Sequence, residues 1–195
     1  MSTPKGKPAG WAVLHRLGLH EPSSSTLKYL RFCVMIATST IVMFLLTYTN
    51  TFVWDHVRWS EERFYMSLLM GSAMAIIMLS FMWNMYEKVN VNVGVLAGAL
   101  AIGALALWLS RSQHFVDDRA YMQGMIPHHS IAILTSERAD IDDLRVRRLA
   151  AEITETQRRE IAEMDWILSD IEENGEATTE SEAQSRPVPE FTAGP

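Results

Sequence analysis

Side chains that can bind metal ions are concentrated in residues 115–133. They are Asp118, Met122, Met125, His128 and His129. In an α-helix all of these except His128 share one face, because they are spaced i, i+4, i+7 and i+11. Thioethers favour Cu(I), and imidazole suits copper, zinc and iron. The stretch is therefore either a metal-binding face or a helix core that contains two histidines.

Two amphipathic helices are predicted around this stretch. The first covers residues 115–138 and either bends at Gly124 and Pro127 or ends there and restarts, because proline removes a backbone donor. A bend at Pro127 could bring the imidazoles of His128 and His129 to the same side. The second covers residues 143–172, where apolar residues recur every three or four positions.

The second predicted helix could complete a metal site. Gln157, Glu160 and Met164 are spaced i, i+3, i+7 and can face the first helix. The alternatives are that Glu160 is a surface ion-pair group and that Met164 is part of the core. A single hairpin of this kind cannot cover its own apolar face. We therefore expect it to dock on a second copy, which would form a four-helix bundle, or on another protein.

Three uncharged stretches precede the hairpin, at residues 32–54, 64–86 and 89–110. Each exceeds the roughly 20 residues that a helix needs to cross a bilayer. The predicted fold class is therefore all-α, with a three-helix transmembrane region at residues 29–110 followed by the two-helix hairpin. In the second stretch Met66, Met70, Met74, Met78 and Met82 recur every four residues, which fits either irregular packing or a Cu(I) path.

The distribution of Lys and Arg predicts the orientation of the chain. Six of them lie near the membrane on the N-terminal side and four on the opposite side, and the richer side is usually cytoplasmic. We expect an integral protein of a bacterial inner or plasma membrane, with residues 1–28 in the cytoplasm. The hairpin at residues 112–172 is then periplasmic or extracellular, and residues 173–195 are predicted to be disordered.

Composition excludes several classes of function. Residues 111–195 contain 9 basic and 18 acidic side chains, which argues against binding to nucleic acid because that depends on neutralising phosphates. Cys33 is the only cysteine, so an intrachain disulfide and a cysteine zinc site are both impossible. A di-iron enzyme needs Glu-x-x-His pairs, and none occurs.

Two motifs in the hairpin resemble a known family. They are Asp118-x-x-x-Met122-x-x-Met125-Ile-Pro-His128-His129 and Gln157-x-x-Glu160-Ile161-x-x-Met164. This pattern resembles domain-of-unknown-function family 305, a ferritin-like helical family that includes the copper-binding protein CopM. The resemblance covers residues 112–172 and leaves out the predicted membrane helices. It implies copper binding for buffering or tolerance, with matching positions at Met122, Met125, His128, His129 and Met164.

Two hypotheses follow. The first is a membrane-anchored, non-enzymatic copper-binding protein, in which Met122, Met125 and a histidine hold Cu(I). His128 and His129, with Asp118 or Glu160, would hold Cu(II), which favours nitrogen and oxygen ligands. The second is a metal-free assembly module whose hairpin dimerises or docks on a partner.

Overall fold

The computed structural model describes residues 24–192, which form helices and turns with no strand among them. The α-helices are α1 (Ser24–Leu46), α2 (Glu61–Phe81), α3 (Val89–Ser112), α4 (Asp118–Arg138), α5 (Leu144–Asn174) and α6 (Glu180–Ser185). Short 3-10 helices lie at Trp54–His56 and Trp83–Met85. The predicted all-α fold is confirmed for this part of the chain. Most of the predicted cytoplasmic segment, at residues 1–23, lies outside the described residues.

Helices α1, α2 and α3 are each long and apolar enough to cross a membrane. The first of them begins and ends about eight residues earlier than the uncharged stretch at residues 32–54 indicates. It ends at Leu46 because the hydroxyls of Thr47 and Thr49 donate to the carbonyls of Phe44 and Leu46. Residues 47–60 therefore form a loop between α1 and α2, which we call the connecting loop.

Small residues allow α2 to pack between α1 and α3. A Cβ atom at Gly71 of α2 would overlap the side chain of Thr40 on α1. At Gly103 of α3, a Cβ atom would lie 3.2 Å from the Cβ of Ser72. By contrast, Gly94 and Gly98 have open space where a side chain would be. The small residues of α3 thus form two surfaces, of which one contacts α2.

Helices α4 and α5 form the predicted hairpin. Asp117 and Asp143 cap them, accepting hydrogen bonds from the N–H groups of Ala120 and Arg145. Helix α4 runs without a break through Gly124 and Pro127, so the expectation of a new helix at the proline is wrong. Pro127 is fully buried in the middle of α4, where packing offsets the loss of one backbone hydrogen bond.

The connecting loop covers part of the hairpin's apolar face. Ile126, Ile133 and Ile161 form a buried cluster, and Phe52 of the loop packs against it with Met164 and Leu168. The chain itself therefore contributes to covering the hairpin.

The segment after α5 differs from the predicted disorder at residues 173–195. Gly175, with φ +78°, ends α5 in a conformation that favours glycine. Thr179 and Glu182 then form a capping box at the start of α6. Arg186 pairs with Asp170 of α5 at 2.6 Å, and both side chains are largely buried. These local and tertiary contacts order the described part of the segment, residues 173–192.

Candidate metal-binding site

His129 of α4 is held between two hydrogen-bond partners. Its Nδ1 lies 2.9 Å from the carbonyl oxygen of Met125, and its Nε2 lies 2.8 Å from Oε2 of Glu160 on α5. The same carboxylate oxygen accepts a hydrogen bond from Gln157 at 3.3 Å. His129 is only 8% exposed. The imidazole is therefore fixed in position, and it joins the two helices of the hairpin.

The partners of His129 determine which protons it carries. A carbonyl oxygen can only accept, so Nδ1 must carry a hydrogen that it donates to Met125. Nε2 then either donates a hydrogen to the carboxylate of Glu160 or accepts one from the protonated carboxyl group, because the two atoms are 2.8 Å apart. Histidines that bind metals commonly donate their other ring N–H to a carbonyl in this way. Because the backbone carbonyl holds Nδ1 as a donor, Nε2 is the ring nitrogen that could bind a metal, with the ion replacing the hydrogen shared with Glu160.

The distance between Nε2 and Oε2 also fits a shared ion. Two ligand atoms that are each about 2.0–2.2 Å from one ion lie about 3 Å apart when they subtend a right angle, as in the tetragonal geometry of Cu(II). The observed separation is 2.8 Å. Within residues 24–192 no group of three or more His, Cys, Asp or Glu side chains is placed to hold a metal ion. An ion at His129 and Glu160 would need other donors as well, such as sulfur, carbonyl oxygen or water.

Three of the predicted ligands line one cleft. Met122, which is 6% exposed, and Met164 contribute thioethers from α4 and α5, and Asp118 lies in the first turn of α4. The cleft has a volume of about 540 Å³ and is bounded on one side by the segment after α5, residues 176–188. It therefore brings two methionines and an aspartate to the same space.

Two further predicted ligands line a different cavity. Met125 and the exposed His128 contribute to a space of about 230 Å³ between α4 and the start of α2, where Ser60 and Arg63 lie on the opposite wall. Residues 118, 122, 125 and 129 share a helix face by spacing, yet their side chains contribute to different environments. The structure thus divides the predicted ligands into a thioether cleft, an imidazole–carboxylate pair and the cavity beside α2.

Comparisons with known proteins give the family. Residues 118–193 match a family described as "Domain of unknown function (DUF305)". The chain is also 34% identical over 143 residues to "Uncharacterized protein L153" of Acanthamoeba polyphaga mimivirus, which covers 70% of this chain and 92% of the viral protein. The chain belongs to the DUF305 family. No solved structure matches it.

The DUF305 match begins at the first residue of α4 and includes the whole hairpin and α6. The predicted resemblance to family 305 is thereby confirmed for residues 118–193. The alignment with the viral protein is longer than the DUF305 match, so it also includes part of the chain before α4. The relationship between the two proteins therefore extends beyond the hairpin.

One polar contact of the DUF305 hairpin was missed by sequence reasoning. The hydroxyl oxygen of Ser130 accepts the N–H of Phe52 at 2.7 Å and lies 2.9 Å from Nδ1 of His56. Ser130 is fully buried and His56 is half-buried, so the contact joins the connecting loop to α4. No sequence signal relates residues 130 and 56, because they are 74 positions apart and only the fold brings them together.

Proposed function

We propose that this protein is a membrane-anchored, non-enzymatic copper-binding protein that buffers the metal on the outer side of the membrane. The observation that carries the proposal is the position of His129. Its Nδ1 is bound to a backbone carbonyl while its Nε2 lies 2.8 Å from a carboxylate oxygen of the facing helix. Nitrogen and oxygen donors in this arrangement suit Cu(II).

The thioether cleft supports binding of the reduced ion. Met122 and Met164 reach it from facing helices, and thioethers prefer Cu(I) over harder ions. The two oxidation states would then use separate ligands of one hairpin, since Glu160 and His129 do not line the thioether cleft.

The proposed orientation is supported by the ends of the apolar helices. The connecting loop contacts the hairpin where Phe52 donates to Ser130. The loop and the hairpin therefore lie at the same end of α1–α3. At the other end Lys28 pairs with Glu87 at 3.3 Å. Three antiparallel crossings therefore separate the start of α1 from the hairpin. Lys and Arg are in excess at the end of α1–α3 that contains Lys28, which supports a cytoplasmic location for that end and an outer location for the hairpin.

Metal titration of the full chain in detergent tests this function. Glu160→Gln and His129→Asn should each weaken Cu(II) binding at least tenfold, because each removes one of two fixed ligands. Glu163→Gln is the matched control, since Glu163 lies on the same helix and pairs only weakly with Arg159, at 3.6 Å. Binding that is weaker than micromolar in the wild type, or unchanged in both ligand variants, contradicts the proposal.

Cu(I) binding is measured separately by competition with a chromogenic chelator. Met122→Leu and Met164→Leu should each lower Cu(I) affinity while leaving Cu(II) binding unchanged. Met85→Leu is the control, because this exposed methionine lies between α2 and α3. Equal losses of both ions would mean that the two ligand sets are one site.

A second candidate function, a metal-free assembly module, is favoured by a different surface. Val146, Leu149 and Ile153 follow i, i+3, i+7 spacing on α5 and are 49%, 55% and 37% exposed. A second copy that packed on this stripe would form a four-helix bundle. Leu149→Glu should then lower the mass of the detergent-solubilised particle measured by light scattering. A wild-type particle with the mass of a monomer would exclude this candidate.

A further inference from the structure

The connecting loop is attached to the hairpin through Phe52 and Arg58. Phe52 donates its backbone N–H to Ser130 and packs its ring on the isoleucine cluster. The guanidinium of Arg158 lies 5.2 Å from the centre of that ring. Arg58 pairs with Asp165 at 3.5 Å. The loop therefore contacts both helices of the hairpin, and it links them directly to α1 and α2.

The hydroxyl of Ser130 at the centre of this contact favours a neutral His56. Its oxygen accepts the N–H of Phe52, so its single hydrogen is free to be donated to Nδ1 of His56. This arrangement requires Nδ1 to be unprotonated. When His56 is protonated, Nδ1 becomes a donor and the Ser130 hydrogen loses its acceptor. Ser130 is fully buried, so water cannot compensate for the lost hydrogen bond.

The surroundings of His56 also favour its neutral form, because together they lower its pKa. Partial burial lowers its pKa below the ordinary value of 6.5, and Asp165 of α5 opposes that effect. Arg58 and Arg158 lower the pKa further, and Asp55 raises it. From α4 the contact is the uncharged Ser130. The neutral form of His56 is therefore the form that the docked loop accommodates.

We propose that the connecting loop is a pH-sensitive latch, in which neutral His56 holds the loop on the hairpin and protonated His56 releases it. The latch does not involve metal binding, and it concerns the joint between the apolar helices and the DUF305 hairpin. Release would free the hairpin to move relative to α1–α3 while both remain folded.

The direction of the pH effect follows from the lowered pKa. Docking is most stable above pH 6.5, the value that His56 has when it is undocked. It weakens as the pH falls below that value, because protons then bind preferentially to the undocked form. The docking equilibrium changes by at most about tenfold per pH unit, since a single proton is involved.

Hydrogen exchange of the full chain in lipid nanodiscs, with chelator present, tests the latch. The Phe52 amide reports directly, because it donates to Ser130. After correction for intrinsic rates, protection of the loop peptide should fall several-fold between about pH 7.5 and about pH 5. Peptides from α2 and α5 away from the contact should keep their protection.

Three variants separate the latch from general destabilisation. His56→Gln can still accept the Ser130 hydrogen but cannot titrate, so its loop should stay protected at both pH values. Ser130→Ala should lose protection at both. His114→Gln, a change at an exposed histidine outside the contact, should behave as the wild type does. Equal protection of the wild-type loop at both pH values, or a pH dependence that persists in His56→Gln, would overturn the proposal.

Discussion

The apolar helices and the hairpin are held together by different kinds of contact. Within α1–α3 most of the close contacts are steric, as where Gly71 meets Thr40 and Gly103 meets Ser72. One uncharged polar pair accompanies them, in which Tyr29 of α1 donates to the buried Asn92 of α3. In the hairpin and the segment that packs on it, buried apolar residues are accompanied by polar pairs. His129 pairs with Glu160 within the hairpin, and Arg186 of the later segment pairs with Asp170 of α5. The first region depends on the fit of backbones, and the second depends on charge and protonation as well.

This difference suits the two regions to different tasks. Backbone fit hardly changes with pH or with dissolved ions, so α1–α3 can serve as a constant anchor. An imidazole–carboxylate pair changes when a proton or a metal ion arrives. We therefore expect responses to pH and to metal ions in the hairpin and in the connecting loop that contacts it.

The largest effect should come from the apolar core of the hairpin. Ile126 is fully buried, and Ile126→Ala should lower the free energy of unfolding of the hairpin by about 2–5 kcal/mol. Ile102→Ala is the control, because Ile102 of α3 is 51% exposed within the chain. Thermal denaturation followed by circular dichroism measures both. Similar losses in the two variants would mean that the apolar helices depend on the same kind of core as the hairpin.

A smaller effect is expected from backbone fit in the apolar helices. Gly71→Ala places a Cβ atom against Thr40 and should destabilise the α1–α2 contact by about 1–3 kcal/mol. Gly98→Ala adds the same atom where the space is open, and it should be neutral or stabilising because alanine favours helices. The measurement is the fraction of particles that stay monodisperse on heating in detergent. Equal behaviour of the two variants would contradict the packing at Gly71.

Hydropathy predicted the existence of α1–α3 but not the role of the connecting loop. The uncharged stretch at residues 32–54 contains Phe52, whose apolar side chain indicated a membrane helix. Phe52 instead packs on the hairpin, and hydropathy alone cannot distinguish lipid from a protein core. The helix end at Leu46 depends on hydroxyls that cap carbonyls locally, which an average over about 20 residues does not detect.

For the candidate site, the sequence predicted residue types better than their grouping. Helical spacing predicted that Met122, Met125 and His129 share a face, and all three lie on the predicted helix. Which of them meets Glu160 or Met164 depends on the register between α4 and α5. That register is fixed by the packing of Ile126, Ile133 and Ile161, which no local pattern specifies.

The smallest effect is expected where the segment after α5 folds back. Arg186→Gln removes the pair with Asp170, whose side chains are 22% and 16% exposed, and should cost about 1 kcal/mol. Residues 176–188 bound the thioether cleft. Loss of the Arg186–Asp170 pair should therefore expose Met122 and Met164 to peroxide. Mass spectrometry should therefore show faster oxidation of these two methionines, with Met125 unchanged as an internal reference. Arg159→Gln, which breaks a longer and more exposed pair, is the control. Unchanged oxidation of Met122 and Met164 in Arg186→Gln would show that the segment after α5 does not close the thioether cleft.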